Sequence, residues 1–166
     1  MNESYAEAGC RRKATASTYA MKVGMILLCV LLFFLSAVSQ IMLFIAALAI
    51  VGVVFLFPRL NVEYEYIFCD GQLDFDQISG GQKRKTKLRI DFNEVELCAP
   101  VKAHELDAYT YKDLKVINFT SHTDAPNTYA IIIRDKDITK KILFEPSEKM
   151  IDCMRQKAPS KVVKTW

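Results

Sequence analysis

The chain divides into one continuous apolar segment and a longer part in which apolar and polar positions alternate. From Val23 to Phe57 there are 35 residues without a charged side chain, framed by Lys22 and Arg59. A soluble domain of this size has no room to bury such a segment, whereas a membrane-crossing helix needs about 20 apolar residues. The pattern therefore predicts a membrane protein.

A transmembrane helical hairpin over residues 17–58, with helices near 17–37 and 41–58, fits the apolar segment best. The segment is too long for one upright helix, and tilt accommodates only a few extra residues. Polar residues interrupt it at Ser36-Ala37-Val38-Ser39-Gln40, where the hairpin is expected to turn. Gly24 and Gly52 are expected to allow close approach of the two helices. The alternative is one helix near 25–48 whose end continues as a buried or interfacial piece.

Basic residues on both sides of the hairpin predict two crossings of the cell membrane with both termini in the cytoplasm. Arg11, Arg12 and Lys13 precede the hairpin, and Arg59 follows it. A cleaved signal peptide is disfavoured because the apolar segment continues for about twenty residues beyond any plausible cleavage site. The five cysteines show no disulfide spacing, which agrees with a reducing compartment. Residues 1–16 are predicted to be a disordered basic tail.

After Arg59 the chain alternates with period two, which predicts half-buried strands. Asp70-Gly71 is a favoured two-residue hairpin turn, and Asp74 and Asp76 are expected to point outward after it. The aromatic residues expected in the core are Tyr64, Tyr66, Phe68 and Phe75. Strands are predicted near 61–69, 73–75, 83–92, 94–97, 114–119, 128–134 and 138–144, with a helical turn around 104–108 and a closing helix over 147–157.

About seven strands followed by one amphipathic helix indicate an α+β domain over residues 60–157, with a frayed tail over 158–166. A meander of antiparallel strands whose open end is covered by a C-terminal helix is the arrangement of a small pleckstrin-homology-like β-barrel. Such a curved sheet leaves few exposed edges and gives roughly a hundred residues one core. Other α+β arrangements stay open, because strand pairing is not readable from one sequence.

The charge balance argues against nucleic acid as a partner, since residues 60–166 carry 17 basic and 17 acidic side chains. Within this neutral part, the strand near 83–92 is strongly basic, and alternation predicts Lys83, Lys85, Lys87 and Arg89 on one face. Anionic lipid headgroups or a membrane-protein partner are its candidate ligands, at roughly 1 kcal/mol per basic residue near a lipid surface. The alternative is a solvated strand face, or an edge kept charged to prevent strand addition, neutralised by Glu63, Glu65, Asp74 and Asp76. The candidate binding residues are Lys83, Arg84, Lys85, Lys87 and Arg89.

Other candidate groups lack the spacing or the third residue that their chemistry requires. They are a calcium loop at Asp70, Asp74 and Asp76, a zinc site at Cys98, His104 and His122, a nucleophile–base pair at Cys98 and His104, and a phosphate loop at Gly80-Gly81. The sequence therefore predicts no cofactor, no metal and no enzymatic activity.

Three segments resemble a family of small two-helix bacterial membrane proteins, mostly from Gram-positive anaerobes, that is defined only as a domain of unknown function. They are residues 61–66 (NVEYEY), 71–78 (GQLDFDQI) and 144–150 (FEPSEKM). The resemblance covers roughly residues 20–157 and implies a membrane hairpin followed by a cytoplasmic domain, without supplying an activity. A weaker likeness is to bacterial membrane-anchored pleckstrin-homology-like domains, in which a helical hairpin precedes a strand of alternating basic residues.

The function expected from these features is a membrane-anchored, non-enzymatic binding module at the cytoplasmic membrane surface. The alternative is a structural or accessory subunit whose helices pair with a larger membrane complex.

Overall fold

The computed structural model describes residues 5–37, 39–81, 83–110, 114–123, 125–135 and 138–164. The elements follow in the order β1 (Tyr5–Arg11), α1 (Ala16–Leu35), α2 (Gln40–Arg59), β2 (Val62–Cys69), β3 (Gln72–Ser79), β4 (Lys83–Asp91), β5 (Val95–Pro100), a 3₁₀ turn (His104–Leu106), α3 (Asp107–Thr110), β6 (Lys115–Asn118), β7 (Tyr129–Asp135), β8 (Ile138–Phe144) and α4 (Glu148–Lys157). The predicted α+β class with two apolar helices and a C-terminal helix is confirmed.

The strands form two four-stranded sheets, and the predicted closed barrel is wrong. The first sheet has the order β1-β2-β3-β4 and the second has the order β5-β7-β8-β6. In the described part of the chain, no hydrogen-bonded strand pair joins the two sheets. The expected antiparallel meander is also corrected, because β6 lies parallel to β8. β6 lies between β5 and β7 in the sequence but at the opposite edge of the second sheet from β5. No local sequence pattern specifies this position.

A core rich in aromatic residues lies between the two sheets and α4. Tyr66, Phe68 and Phe75 are fully buried, as period two predicted, and Tyr64 is almost so. Phe144 of β8 meets the rings of Tyr66 and Phe75 edge to face. The closing helix α4 begins at Ser147, whose hydroxyl accepts the Met150 N–H, and it buries Met150, Ile151 and Met154 against this core. Aromatic edge-to-face pairs add about 0.5–1.5 kcal/mol each beyond the area that they bury.

The two apolar helices pack against each other but bury almost nothing else. Their bounds lie within two residues of the predicted ones, and one continuous helix over 25–48 is not formed, because the chain leaves the helical conformation after Leu35. The half-buried or buried positions recur at intervals of three and four residues, at Thr18, Lys22, Met25, Cys29 and Leu32 of α1 and at Met42, Ala46, Ala49, Val53 and Phe57 of α2, with Gly52 also half-buried beside Val53. A Cβ at Gly24 or Gly52 would meet no atom within 4 Å, so the approach of the two helices does not require glycine at either position, although Gly52 is half-buried.

The segment before the hairpin is a strand, where the sequence predicted a disordered tail. β1 pairs antiparallel with β2, from Tyr5 opposite Cys69 to Arg11 opposite Glu63. Ala6, Ala8 and Cys10 face the core. The helical hairpin is therefore an insertion between two neighbouring strands of one sheet. Its two ends emerge at the same end of the β body, where β1 finishes and β2 begins.

Specific contacts hold the hairpin to the β body at this end. The Lys22 ammonium donates to Asn61 Oδ1 at 2.9 Å and lies 5.0 Å from the centre of the Phe57 ring. The Lys13 N–H donates to the Ser121 carbonyl at 2.8 Å. Ser121 in turn donates its N–H and its hydroxyl to the buried carboxylate of Glu145, at 2.8 and 2.7 Å. These bonds connect the start of α1 to the end of β8.

The C-terminal segment also differs from the predicted frayed tail. Cys98 of β5 donates its N–H to the Lys161 carbonyl at 2.7 Å, and the Val163 N–H donates to the Cys98 carbonyl at 2.8 Å. Residues 161–163 thus cover the free edge of β5, which otherwise presents unpaired backbone groups.

Candidate functional site

The basic strand β4 forms an edge of the first sheet and begins beside the end of α2. Its preceding turn uses left-handed backbone at Gly80 and Gly81, with φ of +65° and +70°. The Gly80 N–H donates to the Asn61 carbonyl at 3.0 Å, which ties the turn to the chain just after α2. The first residues of β4 therefore lie at the end of the β body from which the hairpin emerges.

A β-bulge at Lys87 divides the cations of β4 between two faces. Phe75 pairs with Leu88, but the next residue of β3, Asp76, pairs with Thr86, which leaves Lys87 as the extra residue. Such a bulge reverses the alternation, because side chains of a strand change face with every residue. The prediction that Lys83, Lys85, Lys87 and Arg89 share one face is therefore wrong. Lys83 and Lys85 share the face of Leu88, whereas Arg89 lies on the opposite face.

The arginines of β4 are engaged by carboxylates on the outer face of the sheet. Arg84 binds Glu65 and also Asp76, whose Oδ2 lies 2.9 Å from Arg84 Nε. Because Glu65 and Asp76 are opposite each other on β2 and β3, Arg84 separates two like charges. Asp76 is only 5% exposed rather than outward and solvated as expected. Its Oδ1 has no hydrogen-bond partner within the described residues.

Arg89 makes a two-bonded pair with Asp74, at 2.9 and 2.8 Å, and these bonds raise the pKa of the guanidinium. Glu63, expected to neutralise β4, instead binds Arg11 of β1 at 2.6 Å. The outer face of the first sheet is therefore a set of compensated pairs, and its arginines contribute to the sheet rather than to an open cationic surface. Exposed pairs of this kind contribute little to stability, because water screens their charges.

The three lysines of β4, here called the lysine face because all three line one groove, are exposed. In the part of the chain that the structure describes, no carboxylate lies within 4 Å of the Nζ of Lys83, Lys85 or Lys87. They surround an open groove of about 500 Å³, to which Arg84, Gln77 and Ser79 also contribute. Ammonium groups on flexible stems attract phosphate or carboxylate as point charges without fixed geometry. The groove is thus suited to an anionic surface.

The remaining residues that carried candidate chemistry have structural contacts. Cys98 is fully buried, and burial raises the pKa of its thiol to about 12. His104 is exposed and lies 3.3 Å from Asp107. Among the described residues, no three His, Cys, Asp or Glu side chains converge as metal ligands.

Cys10 was assigned to the tail but joins a buried polar group in the core. Its Sγ lies 2.9 Å from Tyr66 Oη, and the Tyr66 hydroxyl donates to the Phe119 carbonyl at 2.5 Å. Burial is the main cause that raises the pKa of the Cys10 thiol to about 11 and raises the pKa of Tyr66 as well. The only sequence signal for this placement is the weak alternation of Ala6, Ala8 and Cys10 with larger or polar residues.

A comparison with protein families gives one match. The family model described as a bacterial PH-like domain (DUF6106), where PH stands for pleckstrin homology, matches residues 2–164. No curated protein and no solved structure gives a significant match.

Proposed function

The chain belongs to the bacterial PH-like domain family DUF6106, and we propose that it is a non-enzymatic binding module anchored in the cell membrane by its helical hairpin. PH-like domains are usually binding modules without catalytic activity. The observation that carries the proposal is the insertion of two unburied apolar helices between paired strands β1 and β2.

The exposure of the helices supports a membrane location. Both helices are long and apolar enough to cross a bilayer, yet their large side chains are mostly exposed, with Phe34 at 70% and Leu48 at 73%. A core helix of a soluble protein has the same composition but is buried, because exposed apolar surface costs about 25 cal/mol per Å² in water. In a bilayer the same surface faces lipid.

The pairing of β1 with β2 supports two crossings and a common side for both termini. A hairpin whose two ends are joined by one sheet has to enter and leave the membrane on the same side. The basic residues at this end, including Arg12, Lys13 and Arg59, support a cytoplasmic location for that side by the positive-inside rule.

Labelling of intact cells tests this topology. We expect Glu7→Cys in β1 and the native Cys69 of β2, both exposed, to react with a membrane-impermeant maleimide only after lysis. A cysteine at Ser39, in the hairpin turn, is the control and is expected to react from outside. Reaction of position 7 and position 69 from opposite sides of the membrane would contradict the two-crossing hairpin.

The lysine face is the part of the module that we assign to anionic lipid. It lies at the same end of the body as α2, and its charges have no carboxylate partner within the described residues, whereas Arg84 and Arg89 are paired. Each lysine contributes about 1 kcal/mol near an anionic leaflet, which is roughly fivefold in affinity. The attraction is expected to fade with salt, because the Debye length falls to about 3 Å at 1 M.

Replacement of all three lysines by glutamine tests this assignment. In proteoliposomes of phosphatidylcholine and phosphatidylglycerol, we expect the full chain to enrich spin-labelled phosphatidylglycerol around itself. The triple variant is expected to lose at least tenfold in the association constant for this lipid relative to phosphatidylcholine. The matched control removes three charges elsewhere, by glutamine at Lys115, Arg155 and Lys157, and is expected to keep the parental value. If the parent and the triple variant show the same lipid selectivity, the assignment of the lysine face to lipid is wrong. An acidic protein segment is then its remaining candidate ligand.

A further inference from the structure

A small pocket, here called the junction pocket, lies where α2 meets the turn between β3 and β4. Its volume is about 280 Å³, just below the range of roughly 300–1,000 Å³ that is usual for small-molecule sites. The residues that line it are Val54, Phe55, Pro58 and Arg59 of α2 and Ser79, Gly80 and Lys83 of the turn and the sheet. It is therefore large enough for a headgroup but not for a whole lipid.

Close backbone approach builds this pocket. A Cβ at Gly80 would lie 3.2 Å from the Pro58 carbonyl carbon and oxygen, so glycine lets the turn pack directly on the end of the helix. Gly80 also has a left-handed φ of +65°, which a residue with a side chain adopts at a cost. The turn and the helix end are thus held together, with Arg59 and Lys83 on the two sides of one pocket.

The lining changes from apolar to cationic along the axis of α2. Val54 and Phe55 are each 63% exposed and lie at least one helical turn, about 5 Å, closer to the hairpin tip than Arg59. At the level of Phe57, the ammonium of Lys22 is held by Asn61, which marks where polar groups begin. A phospholipid has the same order, with acyl chains below a phosphate.

The upper part of the pocket offers donors to a phosphate. In the described part of the chain, neither Arg59 nor Lys83 lies within ion-pair distance of a carboxylate. The Ser79 hydroxyl accepts from Gln77 Nε2 at 3.2 Å, which leaves its own proton for another acceptor. A guanidinium binds phosphate through two parallel hydrogen bonds, and an ammonium adds a point charge.

We propose that the junction pocket binds one anionic phospholipid, with its phosphate between Arg59 and Lys83 and its glycerol and upper acyl chain against Val54 and Phe55. The inference rests on the proposed function, since it needs the hairpin in a bilayer. It differs from the lysine face in kind, because it is a stoichiometric site for one lipid. Lys83 belongs to both surfaces, whereas Lys85 and Lys87 do not line the pocket.

Native mass spectrometry of the full chain in a non-ionic detergent tests the pocket, by titration with phosphatidylglycerol. We expect one lipid to bind first, and its dissociation constant to rise at least tenfold in Arg59→Gln/Lys83→Gln. The matched control, Lys85→Gln/Lys87→Gln, removes the same charge from outside the pocket and is expected to change that constant less than twofold. Glycerol phosphate, which lacks the acyl chains, is expected not to compete at equal concentration.

The other possible outcomes contradict the lipid site, and each one indicates a different explanation. Equal losses in the two double variants indicate diffuse attraction by β4, and competition by glycerol phosphate indicates a site for free phosphate. If Arg59→Gln/Lys83→Gln binds the first lipid as the parent does while the lysine-face triple variant loses lipid enrichment, the pocket is wrong and the proposed function stands. If neither set of variants changes lipid binding, both assignments to lipid fail. Arg59 and Lys83 are exposed, so their replacement leaves the core intact.

Discussion

Phe75→Ala is expected to lower the free energy of unfolding of the β body by about 3–5 kcal/mol. The ring of Phe75 is fully buried and stacks on Phe119 with 4.9 Å between ring centres. It also meets Tyr66 and Phe144 edge to face, at 5.6 and 5.7 Å. Alanine removes these contacts and leaves a cavity that three other rings cannot fill without leaving their rotamers.

The buried thiol of Cys98 provides the measurement. It is fully buried, so its rate of modification under increasing denaturant reports the opening of the second sheet in the full chain in detergent. Val116→Ala on the exposed edge strand β6 is the control, with an expected loss within about 0.5 kcal/mol. Domains of this size are stable by only about 5–15 kcal/mol, so the expected loss is a large fraction of the total. A loss under about 1 kcal/mol for Phe75→Ala would contradict the described core.

The sequence predicted β2 and β3 because both carry a period-two signal of their own. β2 and β3 place Tyr66, Phe68 and Phe75 on one face, and the intervening Asp70-Gly71 turn has positive φ at both residues, 47° and 96°. Local pattern and burial agree there, so the element type and the core residues follow from the residues alone, although β3 extends to Ser79, beyond the predicted 73–75. The pairing of strands did not follow, because the parallel contact of β6 with β8 depends on residues far apart in sequence.

The bulge at Lys87 shows why the candidate site was predicted only in part. The buried half of β4, at Leu88 and Ile90, fixes which face is inward there. The other half, from Lys83 to Lys87, is exposed at every position, so its side chains carry no signal that fixes their face. The strand and its basic residues were identified from sequence. The register with β3 was needed to separate the paired arginines from the lysines, which form no ion pair among the described residues.

β1 was missed because its inward residues are small. Alanine and cysteine contribute little buried area, and the neighbouring basic residues favour a solvated tail. The strand is nevertheless the element that joins the two ends of the hairpin, and the inferred membrane topology depends on it. A variant that removes β1 from the sheet therefore tests both the fold and the basis of the proposed function.

Ala6→Asp is expected to detach β1 or to lower stability by about 4 kcal/mol at pH 7. Ala6 is 1% exposed, and a buried aspartate has to be neutral, which costs about 1.4 kcal/mol for each of the roughly three pH units above its ordinary pKa. The native state then holds a proton that the unfolded state has released, so the deficit grows as pH rises above about 4 and shrinks towards pH 4. Tyr5→Asp, at an outward position of the same strand, is the control and is expected to cost less than about 1 kcal/mol.

Alkylation of Cys10 distinguishes detachment of β1 from a loss of stability with β1 still in the sheet. In the parent the Cys10 thiol lies against Tyr66 with its pKa raised to about 11, so it is expected to react slowly with iodoacetamide at pH 8. If Ala6→Asp frees β1, Cys10 is expected to react at the rate of an exposed cysteine such as Cys69, while Cys98 stays protected. A variant that keeps both Cys10 protection and parental stability at pH 7 would show that Ala6 is not buried against β2. The inference that both ends of the hairpin lie on one side of the membrane would then lose its support.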